Sequence, residues 1–317
     1  MFDLPDHWVW DFWLADDGDR HHLFFLQAPR SLGDPDLRHR SASVGHAVSD
    51  DLAAWTPVGV ALTAAPGPAF DDLATWTGSV VRGPDGRWRM FYTGLSRGDD
   101  GRVQRIGMAT SDDLTTWQRS SGRALEADDR FYERRPRTSW PEEAWRDPWV
   151  VQDGEGRWHM YVTARAGTGS GLGVVGHATS YDLDSWEVHP PLSAPCGRFD
   201  WLEVLQVVQV DDRWVLLFSC LSEQMPGTQP GGGGIWSVPV DGPGRPVDVA
   251  AAVRLTSEDL YVGKVCVDRA GTARLMAFQN RAADGRFSGG VVAPVDLEWN
   301  ADGTGLQILG GEHRWHP

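Results

Sequence analysis

The chain has 317 residues, 41% of them hydrophobic, and carries a formal net charge of −15, from 44 acidic against 29 basic side chains. That apolar content is enough for a real core, which excludes wholesale disorder. So acidic a chain lacks the basic face that a nucleic-acid backbone requires, and no nucleic-acid partner is expected.

Taken in chain order, the segments read as short strands between turn signals. The run Trp8-Val9-Trp10-Asp11-Phe12-Trp13 opens the series, and His22 to Gln27 follows it. Gly45-His46-Ala47-Val48-Ser49-Asp50-Asp51-Leu52-Ala53-Ala54-Trp55 then recurs as Gly107 to Trp117 and again as Gly176 to Trp186. Each copy follows a strand of the kind seen from Trp88 to Thr93 and from Trp158 to Thr163, itself preceded by turns such as Pro84-Asp85-Gly86. No segment sustains an amphipathic helical period. A repeat of this length holds about four short strands, which is one propeller blade. Two further units fit around Trp214 to Val240 and Ala273 to Leu297. The expectation is therefore an all-β, five-bladed β-propeller formed by residues 1–317 as one domain. The Ser-Asp-Asp-Leu-x-x-Trp units, with Tyr181 in place of the first Asp in the third copy, are its outer turns, with their Trp rings packed between blades. Gly231 to Gly234 reads as a flexible loop. Gly171-x-Gly173-x-x-Gly176 matches a dinucleotide fingerprint in form, but it opens no helix and is rejected.

Cys196, Cys220 and Cys266 show no Cys-x-x-Cys spacing, and the histidines no ligand spacing, so neither a disulfide framework nor a metal site is expected. No stretch approaches the roughly 18 consecutive apolar residues of a membrane helix. The start, Met1 to Asp6, has no secretion-signal pattern, so the expected compartment is the cytoplasm, with no membrane partner.

The innermost strands of a propeller converge on one pocket. Three acids lie in apolar or aromatic surroundings at the start of a unit: Asp11, Asp147 in Trp145-Arg146-Asp147-Pro148-Trp149, and Glu203 in Asp200-Trp201-Leu202-Glu203-Val204-Leu205. An acid there is costly to bury unless it is paired or functional. For Asp147 the structural alternative is a salt bridge with Arg146. Most of the 17 tryptophans are expected to pack sheets, but Trp10, Trp13, Trp76 and Ser79 are candidates for lining that central pocket, with Tyr261 and Lys264, the single lysine, able to reach it from the last blades; for each the alternative is packing, and for Lys264 a surface charge.

These motifs resemble glycoside hydrolase families 32 and 68. The Trp-x-Asp-x-Trp run around Asp11 is similar to the family 68 nucleophile motif, and Arg146-Asp147-Pro148 to the Arg-Asp-Pro motif of both families. Glu203 stands where family 32 carries Glu-Cys-Pro, although Val204-Leu205 replaces the Cys-Pro and Trp10 replaces the Asn before the nucleophile. Trp76-Thr77-Gly78-Ser79, Tyr92-Thr93-Gly94 and Asp259-Leu260-Tyr261 resemble further family segments. The chain stops at Pro317, without the C-terminal β-sandwich usual in family 32.

The resemblance implies a retaining β-fructofuranosidase or fructosyltransferase acting on sucrose-like or short fructan oligosaccharides, with no cofactor. Asp11 would be the nucleophile, Glu203 the acid/base and Asp147 the transition-state stabiliser, with Arg146 holding the Asp147 carboxylate ionised. Trp201 and Leu202 would help keep Glu203 protonated by excluding water. The alternatives are an arabinofuranosidase-type enzyme of the neighbouring family 43, or an inactive propeller that binds carbohydrate.

Overall fold

The computed structural model describes residues 1–310 except 139 and 168. It contains five four-stranded antiparallel sheets, each drawn from one continuous stretch of chain and ordered as in the sequence. Blade 1 is β1 (His7–Asp16), β2 (His21–Pro29), β3 (Ser43–Ser49) and β4 (Thr56–Leu62). Blade 2 is β5 (Ala74–Arg82), β6 (Trp88–Leu95), β7 (Arg105–Ser111) and β8 (Gln118–Arg119). Blade 3 is β9 (Trp145–Gln152), β10 (Trp158–Arg165), β11 (Gly173–Ser180) and β12 (Glu187–His189). Blade 4 is β13 (Glu203–Val210), β14 (Arg213–Cys220), β15 (Gly234–Val240) and β16 (Val253–Arg254). Blade 5 is β17 (Leu260–Val267), β18 (Ala273–Gln279), β19 (Val295–Trp299) and β20 (Leu306–Ile308). Among the described residues the only helical turns are short 3₁₀ segments.

The first strands β1, β5, β9, β13 and β17 contact one another in sequence, and β17 returns to β1, so they ring the axis. The ring is closed by backbone bonds between the chain's two ends: Phe2 exchanges hydrogen bonds with Val291 (2.7 and 2.8 Å), and Gly290 N–H donates to the Val9 carbonyl (2.7 Å).

The repeated motif forms the turn between the third and fourth strands, and its chemistry is the same in all three copies. In the first, Asp51 Oδ1 accepts from Ser49 Oγ and from the Ala53 and Ala54 N–H groups, while Trp55 Nε1 donates to the Leu52 carbonyl at 3.0 Å. Asp113 and Asp182 repeat the set, ending on Trp117 and Trp186. The turn forces Leu52, Leu114 and Leu183 to φ of 64°, 61° and 68°, a costly conformation for leucine. Burial of the three leucine side chains offsets it. The Trp117 ring meets Phe24 of blade 1 edge-on at 5.6 Å, and Trp186 meets Phe91 of blade 2 at 5.3 Å. The motif therefore ties each of these blades to the one before it.

Gly173 and Gly176 lie in β11, where a Cβ on Gly176 would come within 2.8 Å of the Val162 carbonyl oxygen, so the glycine serves close strand approach. The Gly231 to Gly234 run is held more firmly than expected: Glu258 accepts the Gly231 N–H at 3.3 Å, and Gly234 is the first residue of β15.

Blades 1 and 3 also carry a matching buried pair of imidazoles. His22 Nδ1 and His46 Nε2 share a hydrogen bond of 2.9 Å, with Asp17 on the other His22 nitrogen at 3.0 Å. His159, His177 and Asp153 repeat it at 3.1 and 3.1 Å. Burial, then the neighbouring imidazole, depresses His46 to about 4 and His177 to about 3. The unfolded chain takes up these protons first, so their contribution to stability is complete above the ordinary histidine value of about 6.5 and is lost as pH falls towards 4. A His46→Gln/His177→Gln double variant is expected to show a smaller drop in thermal midpoint between pH 7 and pH 4.5 than the parent. An equal drop, followed by circular dichroism, would show that the pairs do not govern acid sensitivity.

Candidate active site

Each inner strand carries one extra residue, at the same level of the ring. In β1 the register slips at Asp11, between Trp10 opposite Leu26 and Phe12 opposite Phe25. In β5 it slips at Thr77. In β9 Asp147 and Pro148 oppose Val162, in β13 Val204 and Leu205 oppose Phe218, and in β17 Val262 and Gly263 oppose Ala277. A bulge breaks the alternation of side chains, so neighbours in sequence reach the same side. Trp10 with Asp11, Trp76 with Thr77, Arg146 with Asp147 and Glu203 with Val204 therefore all line one cavity of about 600 Å³ at this level, joined by Tyr261. At Asp147, Val204 and Val262 the bulge requires φ of 58°, 52° and 53°. Two of these residues are β-branched, for which the conformation is strained, and such strain is typical of functional sites.

The three sequence-predicted acids meet in this cavity. Asp11 Oδ2 accepts from Thr77 Oγ1 at 2.6 Å. Its pKa is raised to about 6, first by burial and then, against the Thr77 bond, by the Glu203 charge. Asp147 is more buried, and accepts from Thr163 Oγ1 at 3.1 Å while its own N–H donates to Thr93 Oγ1 at 2.9 Å. Burial, opposed by Arg146 and reinforced by Asp11 and Glu203, raises it to about 7. Arg146, itself buried, joins the acids. Its Nη2 donates to Glu203 Oε1 at 2.6 Å, its Nε lies 3.4 Å from Asp147 Oδ2, and its Nη1 donates to Gln104 Oε1 at 3.1 Å. The Arg146–Asp147 salt bridge weighed as the structural alternative is thus present, inside the cluster of acids rather than apart from it. Arg146 does not, however, keep Asp147 below the ordinary carboxylate range, because burial outweighs it. The second oxygen of Glu203 accepts from Tyr261 Oη at 2.5 Å. Trp201 lies under the guanidinium groups of Arg146 and Arg165, 4.5 and 5.1 Å from its ring centre.

Of the expected sugar-contacting residues, Trp10, Trp76, Arg146 and Tyr261 face the cavity, and three do not. Trp13 lies past the bulge where blade packing is continuous; it is fully buried and stacked on Phe24 at 6.1 Å. Ser79 is buried between blades 2 and 3, its Oγ accepting the Val150 N–H at 3.2 Å. Lys264 follows the β17 bulge and points below the cavity, donating to the carbonyls of Val204 (3.3 Å) and Leu205 (3.2 Å). The sequence reading missed Thr77 as a partner of Asp11. It also missed the loop between β2 and β3, which brings Asp36, Arg38 and His39 to the rim. Arg38 stacks on Phe287 at 3.8 Å and beside Trp10 at 5.6 Å. Thr77 sits inside a motif already singled out, but its bond to Asp11 depends on two bulges that leave no mark in sequence.

A model of the glycosyl hydrolases family 32 N-terminal domain matches residues 13–231. The chain belongs to this family. The family 32 match contains Asp147 and Glu203 and begins just past Asp11. Among curated proteins, an insoluble β-fructofuranosidase isoenzyme of Arabidopsis thaliana is 28% identical over 189 residues, 57% of this chain and 31% of the relative. The sucrose-6-phosphate hydrolase of Bacillus subtilis is 29% identical over 176 residues, 55% of this chain and 32% of the relative. The matched stretches thus span about a third of these relatives' length. Among solved structures, an inulosucrase from Halalkalicoccus jeotgali bound to kestose superimposes with a TM-score of 0.78 at 22% identity, over 97% of this chain and 89% of that one. Levansucrase of B. subtilis gives 0.70 at 16%, over 96% and 87%. At these identities the structural likeness concerns the fold.

Holding Asp147 where its carboxyl is raised to about 7 has a consequence for stability. Its folded value lies above its unfolded one, so the charge costs stability increasingly as pH rises from about 4 through 7. Asp147→Asn is expected to raise the thermal midpoint at pH 8 by about 3 °C, and to leave it unchanged at pH 4. An unchanged or lower midpoint at pH 8 would contradict the raised value.

Proposed function

We propose that this family 32 chain is a retaining β-fructofuranosidase or fructosyltransferase acting on sucrose-like or short fructan oligosaccharides. The observation that carries the reading is the convergence of Asp11, Asp147 and Glu203 on one cavity, with Arg146 bridging the last two. The B. subtilis relative is named as a sucrose-6-phosphate hydrolase and the inulosucrase was solved with kestose, which supports fructosyl oligosaccharides as the substrate class.

In this reading Asp11, oriented by Thr77, attacks the anomeric carbon of the fructosyl unit. Glu203, its two oxygens fixed by Arg146 and Tyr261, gives its proton to the leaving oxygen. It then takes one from the incoming water or sugar hydroxyl, and the same geometry serves both steps. Asp147 accepts hydrogen bonds from ring hydroxyls, which strengthen as positive charge develops on the sugar. Arg146 draws Glu203 and Asp147 together, so the acid/base and the stabiliser are placed by one guanidinium. Trp10 and Trp76 at the cavity wall supply aromatic surface that suits the apolar side of a sugar.

Product analysis on a panel of fructosides and a panel of synthetic aryl furanosides tests the assignment. Release of fructose or growth of fructosyl oligomers is expected, and distinguishes hydrolysis from transfer. Activity confined to arabinofuranosides would overturn the fructosyl reading. Asp11→Ala is expected to abolish turnover and Glu203→Ala to reduce it by about 10²–10⁴-fold with the fold intact; near-normal activity in either would refute its role. Because Asp11 must be ionised to attack and Asp147 to accept from the ring hydroxyls, kcat/KM is expected to fall on the acid side with a midpoint between about pH 6 and 7. The Thr77 bond lowers the Asp11 value, so Thr77→Val is expected to move that midpoint upward. A midpoint that stays put would remove Thr77 from the site.

A further inference from the structure

The chain's single lysine is almost wholly buried, at 2% exposure, beside the axis of the propeller. A buried ammonium is costly unless its protons find acceptors. Its acceptors are the carbonyls of Val204 and Leu205, 3.3 and 3.2 Å away, and its Nζ lies 4.8 Å from the centre of the Trp149 ring. Those two carbonyls belong to the residues that form the β13 bulge, directly after Glu203, where the ladder to β14 is interrupted. Val204 is held there at φ 52°, a conformation that its branched side chain resists. Something must therefore hold the bulge. Strand β17 does so on both sides: Tyr261 binds Glu203 itself, Lys264 caps the bulge carbonyls, and the Val265 backbone exchanges bonds of 2.7 and 2.9 Å with the Gln206 amide just beyond.

We infer that Lys264 is a positioning residue for Glu203: by holding the Val204–Leu205 bulge from the neighbouring blade, it aims the acid/base carboxyl without touching substrate. This rests on the role of Glu203 given above. A slightly misaimed acid costs turnover far more than it costs binding, and about 10²-fold is a reasonable scale for an error near 1 Å. The loss should also depend on the leaving group, because an activated nitrophenolate departs without a proton whereas a sugar alkoxide does not.

Lys264→Met keeps the volume and removes the donors. Its kcat on sucrose or kestose is expected to fall by about 10²-fold with KM changed less than about threefold, while kcat on p-nitrophenyl β-fructofuranoside falls less than about tenfold. Lys264→Gln, which retains an N–H donor, should lie between Lys264→Met and the parent in the same leaving-group order, and serves as the second variant if the first does not fold. Glu203→Gln is run beside them. If Glu203→Gln spares the activated substrate and the lysine variants lose equally on both substrates, or lose nothing, Lys264 is not positioning the acid. If Glu203→Gln itself shows no leaving-group dependence, the acid/base assignment is at fault and the lysine's role falls with it.

Discussion

One extra residue in each of five inner strands sets the geometry on which the rest depends. A regular strand sends neighbouring side chains to opposite faces, and in a propeller blade both faces are covered by adjacent blades. At Asp11, Thr77, Asp147, Val204 and Val262 the bulges interrupt that rule at one level of the ring. The cavity is polar at that level because consecutive residues turn inward together. Just beyond it, Trp13 and Ser79 return to ordinary packing between blades. The left-handed conformations at Asp147, Val204 and Val262 are the local cost, offset on neighbouring elements by the Thr93 and Ser219 hydroxyls, which accept the Asp147 and Val262 N–H groups, and by Lys264, which donates to the Val204 carbonyl.

Gathering three carboxylates beside one guanidinium sets the electrostatics. Arg146 is shared between Asp147 and Glu203, and Asp11 lies close enough for its charge to act on Asp147. The outcome is a spread of environments: Asp11 raised to about 6 with a hydroxyl donor, Asp147 raised to about 7 against an arginine, and Glu203 held by two donors. On the proposed reading, different surroundings for similar groups allow a nucleophile, a proton donor and a charge stabiliser to coexist in one pocket. The arrangement sacrifices stability at neutral pH, and the propeller frame around it bears that cost.

That frame is held by repeated local chemistry. The Ser-x-Asp-Leu turns, the tryptophans that close them, and the Asp–His–His pairs of blades 1 and 3 recur at matching positions. Blade 5 lacks the turn motif, but supplies Tyr261 and Lys264 to the β13 bulge.

The sequence by itself determined the all-β class, the blade count, the outer turns and the three acids, because these follow from strand periodicity, turn-forming residues and acids stranded among aromatics. Each is a local property, written in adjacent residues. Only the tertiary structure decided which side chains enter the cavity. Trp13, Ser79 and Lys264 had the composition of pocket residues, yet the structure places them in packing, in an inter-blade hydrogen bond and beneath the Glu203 bulge. Arg38 and His39 gave no signal, and the motif holding Thr77 gave none of its bond to Asp11, yet all three line the site. The reason is physical: a one-residue slip in strand pairing reverses the direction of a side chain, and that slip depends on the partner strand rather than on the residue itself.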